Sequence, residues 1–189
     1  MQKTLLFGFV EQKPCKHSPT LLYFIMKKIG ILSDTHGHID EKIIDFFAPC
    51  DEIWHAGDIG DISVINKLSE NKEVRAVFGN IDGGTVRQSF SEFLFFKCEN
   101  VDVLLTHIGG YPGNYDRKAY FKILHHKPKI FVCGHSHILK VVNDFNLKML
   151  CINPGAAGIY GFHARRTMLR FEIDGDKIQN MEVLDIPRF

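Results

Sequence analysis

Five apolar runs in this sequence each end in side chains that can hold a metal ion: Asp34-Thr35-His36-Gly37, Gly57-Asp58, Gly79-Asn80, Thr106-His107 and Gly134-His135-Ser136-His137. Asp, Asn and His make a mixed oxygen and nitrogen donor set without thiolate. Such a set suits Mn2+, Fe2+, Ni2+ or Zn2+ and argues against Cu(I) or iron–sulfur chemistry. The seven donors (Asp34, His36, Asp58, Asn80, His107, His135 and His137) are too many for one tetrahedral zinc. They fit two ions sharing a carboxylate. Two ions about 3.5–4 Å apart can generate hydroxide near neutral pH and hold a substrate for its attack. No protein nucleophile competes with this reading, since there is no GxSxG elbow, no CxxxxxR signature and no GxxxxGK loop.

The elements between these stretches must bring the donors together. Lys28–Ser33, Glu52–Ala56 and Glu73–Phe78 are short apolar runs suited to buried parallel strands. Ile39–Phe47 carries apolar residues at helical spacing with Pro49 as its stop, and Asp61 caps a helix through Leu68. A β-α-β-α-β order of this kind predicts a parallel sheet covered by helices. The second half is richer in hairpins. Phe93–Cys98 and Val101–Thr106 flank Glu99-Asn100, Leu139–Asn143 and Lys148–Ile152 flank a polar turn, and Thr167–Ile173 and Lys177–Leu184 flank Asp174-Gly175. Tyr115–His126 reads as a helix and Ile130–Cys133 as a strand. The expected fold is therefore α/β, with two mixed β-sheets packed as a sandwich and flanked by helices. Ligands in open α/β sheets bind beyond the carboxyl ends of the strands, where all seven donors stand. In D-x-H and H-x-H, alternate residues of an extended segment would share one side.

Composition excludes several other classes. The chain has 189 residues, enough for one domain with a substantial core. It is 45% hydrophobic and 24% charged, an ordinary globular balance, and its net charge of +1 offers no basic excess for nucleic acid. The five cysteines are odd in number and form no CxxC pair. They read as buried free thiols in a reducing, cytoplasmic setting. No apolar run approaches the ~18 residues of a membrane span. Residues 1–25 hold short apolar patches around a polar Glu11–Pro19 stretch, without a small-residue cleavage site. Met26 opens MKKIGILSD, a start followed at once by a strand. The expectation is a dispensable extension over residues 1–25 and the working domain over 26–189.

In their order, DTH, GD, GN, TH and GHSH resemble the calcineurin-like metallophosphoesterase superfamily, most of all its small single-domain phosphodiesterase branch in bacteria and archaea. The resemblance covers Met26 to the C-terminus and includes Asn153-Pro154-Gly155. It implies a four-layer α/β/β/α fold. It also implies that Asp34, His36 and His137 hold one divalent ion, that Asn80, His107 and His135 hold a second, and that Asp58 bridges them. Mn2+ is the first expectation for both ions, with Ni2+, Fe2+ and Zn2+ as alternatives. The implied activity is hydrolysis of a small phosphodiester or nucleotide-like substrate. Many members have a histidine after the GN asparagine, assisting the departing alkoxide. Here that position is Ile81, which cannot donate a proton. The small phosphodiesterase branch commonly lacks this histidine too. The departure therefore makes the alternative of a phosphomonoesterase weaker. A second alternative is a binding module like the retromer scaffold subunit, which has this fold with a degraded site.

Asp82 and His38 remain candidate acids for the leaving group. His55 reads as a core histidine or one that orients a ligand, and His125 and His126 as residues favouring a helix C-terminus. His163, Arg165 and Arg166 follow the glycine-rich segment 155–161. They read as a solvated loop, with a substrate-phosphate contact as the alternative. Exposed hairpin edges leave a homodimer open.

Overall fold

The computed structural model describes residues 26–189. The expectations for residues 1–25, with Cys15 and His17, lie outside the described residues. In chain order the first half holds β1 (Lys27–Leu32), α1 (Glu41–Phe47), β2 (Glu52–His55), α2 (Ile62–Leu68), β3 (Glu73–Ala76), α3 (Gly84–Ser89) and β4 (Phe93–Cys98). The second half holds β5 (Val101–Thr106), β6 (Gly110–Tyr111), β7 (Asn114–Tyr115), α4 (Arg117–His126), β8 (Ile130–Val132), β9 (Leu139–Asp144), β10 (Met149–Pro154), β11 (Arg165–Asp174) and β12 (Lys177–Pro187). One five-stranded sheet has the order β12-β11-β1-β2-β3 and the other β4-β5-β8-β10-β9, while β6 and β7 form a small ribbon. Strands β1, β2 and β3 run parallel, as do β5, β8 and β10, so their carboxyl ends gather at one rim in each sheet.

The period of two along each strand builds the layers. Ile29, Ile31, Trp54, Leu169 and Phe171 of the first sheet meet Val103, Leu105, Ile130, Val132 and Ile152 of the second in one buried cluster. Each such side chain contributes about 1.5–3 kcal/mol on burial. The intervening residues face outward. Ile53 packs with Ile43 and Phe47 of α1 and Val64 and Leu68 of α2. Leu104, Phe131 and Cys151 pack with Ala119 and Ile123 of α4. The result is the expected α/β/β/α stack. Gly30 lets α1 lie close to the sheet, because a Cβ there would enter the Phe47 ring. The four described cysteines are free and buried.

The first two helices have seven residues each, too short to persist without packing and caps. Asp40 accepts from Ile43 N at 3.2 Å and Asp61 from Ser63 N at 2.8 Å. Asp116 caps α4 by accepting from Lys118 N at 2.8 Å. That cap displaces the expected helix start, so Tyr115 instead joins β7 and donates its hydroxyl to Asp144 at 2.7 Å. Helix α3 has no counterpart in the sequence reading, because Gly83-Gly84 lowers local helix propensity. Arg87 holds it by donating to Asp82 O at 3.0 Å and lying 4.2 Å from the Phe78 ring centre.

Arg166 corrects the reading of a solvated loop. It is 3% exposed and grips Asp40 with two bonds, Nη1 to Oδ2 at 2.7 Å and Nη2 to Oδ1 at 3.0 Å. Its Nε donates to Ala157 O at 2.7 Å, so it has no donor directed at a substrate phosphate through that fork. Arg165 pairs with Asp185 at 2.5 Å. The Arg166 pair ties the cap of α1 to the start of β11, with the guanidinium buried and the Asp40 carboxylate partly exposed.

Arg166 hydrogen bonds hold the Asp40 carboxyl well below the usual carboxylate range, against the opposing push of burial. A depressed folded value means the pair stabilises the fold above the unfolded Asp value of about 3.9. That stability is lost as pH falls from there toward the folded value. Asp40→Asn keeps a cap and removes the charge, and should lower unfolding free energy at neutral pH by about 3 kcal/mol. Asp40→Ala should cost about 1 kcal/mol more through the lost cap. Urea unfolding measures both, and the wild type should lose stability more steeply than Asp40→Asn as pH drops below about 4.

Candidate metal centre

The loops after β1 and β2 are zipped by their backbones. Asp34 N donates to Gly57 O at 3.0 Å, His36 N to Asp58 O at 3.0 Å and Gly37 N to Ile59 O at 2.7 Å. Five of the seven donors have left-handed backbone: Asp34 (φ 55), His36 (φ 49), Asp58 (φ 52), His135 (φ 69) and His137 (φ 57). The pairs D-x-H and H-x-H therefore converge through left-handed bends past the strand ends, not through the extended alternation expected from spacing. Each such bend costs of order 1–3 kcal/mol and persists because the surrounding loops hold it.

The folded chain gathers all seven residues at the shared rim of the two sheets. Asp34 Oδ1 lies 3.1 Å from His137 Nε2 and 4.0 Å from His107 Nε2. Asp34 Oδ2 accepts from His135 N at 3.2 Å. Asp58 turns one oxygen to each side, with Oδ2 3.9 Å from His36 Nε2 and Oδ1 3.3 Å from His107 Nε2. Asn80 Oδ1 stands 3.0 Å from His107 Nε2. The exposed His135 ring centre lies 5.2 Å from that of His107. Two close-set groups result, Asp34–His36–His137 and Asp34–Asp58–His107, each with donor atoms within 4.8 Å of one another. Asp34 belongs to both, and Asn80 and His135 stand at their outer edge.

The donors fit a cation. Asp34 Oδ1 and His36 Nε2 are buried yet have no hydrogen-bond partner among the described residues, a condition that costs about 1–3 kcal/mol per atom unless something positive satisfies it. His107 Nδ1 faces Ala56 O at 2.8 Å. As a carbonyl only accepts, that nitrogen carries a hydrogen, while Nε2 faces the acceptors Asn80 Oδ1 and Asp58 Oδ1 and donates to them until an ion takes the place of its proton. Burial opposes charge on His107, but the Asp58 and Asp34 carboxylates outweigh it and raise its pKa. The Asp34 carboxylate likewise raises His137. Burial pushes the Asp58 pKa up, and the hydrogen bond and charge of His107 more than reverse this.

Several neighbours hold the donors in place. His55 is fully buried, and burial pushes its pKa down to about 4. The Thr35 hydroxyl donates to Ile59 O at 3.0 Å and accepts from His55 Nε2 at 2.9 Å, while His55 Nδ1 accepts from Gly57 N at 3.2 Å. A neutral His55 thus links the two zipped loops, as the sequence allowed. Asp82 is 4% exposed, and its oxygens accept from Ile59 N at 3.1 Å, Gly60 N at 2.7 Å and Gly79 N at 2.8 Å. It clamps backbone, both oxygens being taken up as acceptors. His38 pairs with Asp40 at 3.3 Å at the start of α1. Asn153 donates to Gly134 O at 2.7 Å and so holds the GHSH loop. The sequence marked Asp82 as a candidate acid and Asn153 only as part of the Asn153-Pro154-Gly155 stretch. Their signal, a short polar side chain among glycines, does not say which backbone it will bind.

A cavity of about 580 Å3 opens over the centre, lined by His36, Asp58, Asn80, His135 and His137 together with Ile81, Ile138, Phe162 and His163. Among the described residues lining it there is no lysine or arginine. A second cavity of about 270 Å3 shares His135, Ser136 and Ile138 and adds Ile108, Tyr111 and Lys140.

The sequence model of the calcineurin-like phosphoesterase superfamily domain matches residues 26–176. A probable metallophosphoesterase of Methanothermobacter thermautotrophicus is 27% identical over 157 residues, covering 79% of this chain and 88% of that protein. A phosphodiesterase of Methanocaldococcus jannaschii is 26% identical over 146 residues, covering 68% of this chain and 82% of its own. Among solved structures, wild-type Vps29 of Entamoeba histolytica complexed with zinc shares the fold with a TM-score of 0.66 at 17% identity, over 86% of this chain and 99% of that one. A predicted phosphoesterase of Streptococcus pneumoniae does so with a TM-score of 0.62 at 22% identity, over 87% and 91%.

An ion that binds only the folded chain stabilises it by about 2.7 kcal/mol at one hundred times its dissociation constant. Mn2+ added to chelator-stripped protein should therefore raise the melting temperature by roughly 5–10 °C. A Cβ at Gly79 would overlap Asp58 Oδ1 and its backbone nitrogen. In Gly79→Ala the metal-dependent shift should largely vanish, as read by calorimetry with and without Mn2+.

Proposed function

The chain belongs to the calcineurin-like phosphoesterase superfamily, and on that premise we propose that it is a binuclear metal-dependent phosphodiesterase. The observation that carries this reading is a cavity floored by paired buried carboxylates and histidines, two of whose donor atoms lack partners among the described residues, with no lysine or arginine among the described residues of its wall. Asp34, His36 and His137 hold one ion and Asn80, His107 and His135 the other. Asp58 bridges them, a role supported by its two oxygens facing one histidine of each set. When bound, the two ions supply hydroxide near neutral pH and compensate charge on the phosphoryl oxygens. Mn2+ suits these donors, as do Ni2+, Fe2+ and Zn2+.

The walls favour a diester. A phosphodiester carries one negative charge and a phosphomonoester up to two. A wall whose described residues include no lysine or arginine leaves the second charge to the ions alone once water is displaced. Ile81, Ile138 and Phe162 at the mouth are 48%, 63% and 108% exposed, apolar surface that the two ester substituents would cover. A nucleotide-like substrate fits this mouth, because its base offers a flat face to the Phe162 ring. Ile81 donates only its backbone N–H, to Asp58 Oδ1 at 3.1 Å. With Asp82 and His38 engaged elsewhere, departure of a poor leaving group has no evident side-chain acid. The scaffold alternative draws support from the Vps29 likeness, which is a likeness of fold. Every donor position is filled here, and this favours catalysis.

Chelator-stripped protein should regain cleavage of an activated aryl phosphodiester on addition of Mn2+, Ni2+ or Zn2+, and cleave the matching monoester more slowly. Silence with every metal would overturn the reading. Asp58→Asn and His135→Ala should each lose more than the ~10–100-fold that outer partners of metal ligands cost, with far-UV circular dichroism unchanged. Ile81→His, which places an imidazole at the cavity mouth, should speed unactivated esters more than activated ones in the same assay.

A further inference from the structure

Each candidate ligand histidine needs something on its second nitrogen to fix which nitrogen is bare. For His107 the Ala56 carbonyl does this. The described residues offer His137 no such carbonyl. Its Nδ1 instead faces Nδ1 of His163 at 3.1 Å, the ring centres lying 5.1 Å apart at 73°. We propose that His163 is a positioning residue that locks His137 in the tautomer whose Nε2 is free for the metal. The proposal rests on the metal-centre reading above.

The hydrogen-bond partners assign the protons. His163 Nε2 lies 3.0 Å from Gly158 O, which only accepts, so in the neutral ring Nε2 carries the hydrogen and Nδ1 is bare. Bare Nδ1 of His163 then accepts from Nδ1–H of His137. That leaves Nε2 as the His137 nitrogen facing the centre, on the side of Asp34 Oδ1 at 3.1 Å, where an ion would take the place of its proton. The anchor is fixed rather than floating. Ala157 N donates to Ser33 O at 2.9 Å and Gly158 N to Asp34 O at 3.1 Å, so the carbonyl that orients His163 is pinned to the loop that carries Asp34. Gly161 opens the space for the two rings, since a Cβ there would lie 2.6 Å from His137 Nδ1 and 2.9 Å from His163 Nδ1. With both nitrogens engaged, His163 is neither a third ligand nor a free proton donor. Its place beside the phosphate cavity comes from its hold on His137.

The test measures metal binding by the purified chain in competition with a chromophoric chelator, using Mn2+ and Zn2+ alone. Wild type should show two binding steps. His163→Ala should weaken one of them ~10–100-fold and leave the other nearly unchanged. In His163→Gln the amide oxygen can accept from His137 Nδ1–H, and most of the lost affinity should return. In a His137→Ala background, removing His163 should have no further effect. Nitrogen-15 shifts of the Zn2+-loaded protein should show His137 with a single pattern, Nδ1–H and metal-bound Nε2, in wild type and a mixture in His163→Ala. Unchanged binding in His163→Ala, no recovery in His163→Gln, or a further loss in the His137→Ala background would overturn the proposal. A loop that merely collapses would weaken Gln and Ala variants alike. Wild type that binds no ion would overturn the metal-centre reading as well, whereas two ions in wild type with unaltered binding in His163→Ala would overturn the tautomer lock alone.

Discussion

The site depends first on the backbone ladder between the loops that follow β1 and β2. Three N–H groups, of Asp34, His36 and Gly37, donate in sequence to the carbonyls of Gly57, Asp58 and Ile59. This extends strand-like pairing beyond the sheet, into a region where the chain no longer has strand geometry. The ladder keeps Asp34 and His36 within reach of Asp58 although all three have left-handed backbone. Without it, nothing local would hold those conformations, because each is disfavoured for a residue with a Cβ. His55 and Thr35 reinforce the same two loops from below, and Asp82 fastens the second loop to the third.

Electrostatics then set what the rim can do. Asp34 and Asp58 are nearly inaccessible to water, and burying two carboxylates together is costly unless positive charge lies between them. In the metal-free chain the histidines absorb part of that charge, as the raised pKa values of His107 and His137 indicate. The atoms still left without partners among the described residues, Asp34 Oδ1 and His36 Nε2, mark where that compensation is incomplete. A cation is the natural completion of such a donor set, and the superfamily's use of divalent metals is consistent with it.

The rest of the fold serves this rim from a distance. The inter-sheet core aligns the carboxyl ends of two separate parallel segments, β1-β2-β3 and β5-β8-β10, so that donors from both sheets face one another. The Asp40–Arg166 pair closes the first helix onto the strand that follows the 155–161 segment. That segment carries the Gly158 carbonyl and leads into His163. Stability and site geometry thus share a connection, in which a charge pair under the rim restrains the loop that completes it.

Much of this was legible in the linear chain. The alternation of Ile29 and Ile31 with their neighbours, the Asp61 cap, the Glu99-Asn100 and Asp174-Gly175 turns, and the seven donors at strand ends are local patterns. Local patterns survive into the fold because their causes are local: pleat, cap and turn chemistry. Arg166, Asp82 and His163 were not legible in their roles. Arg166 meets Asp40 across 126 positions, and His163 meets His137 across 26, so no period or spacing announces either contact. The extended reading of D-x-H failed for a related reason. Backbone bonds from another loop, not the residue types themselves, decide whether such a tripeptide continues a strand or turns left-handed. The sequence by itself determined the layers of the sandwich and the chemical identity of the donors. Only the tertiary structure decided which atoms of those donors face one another, because that depends on how loops from two sheets close over a single rim.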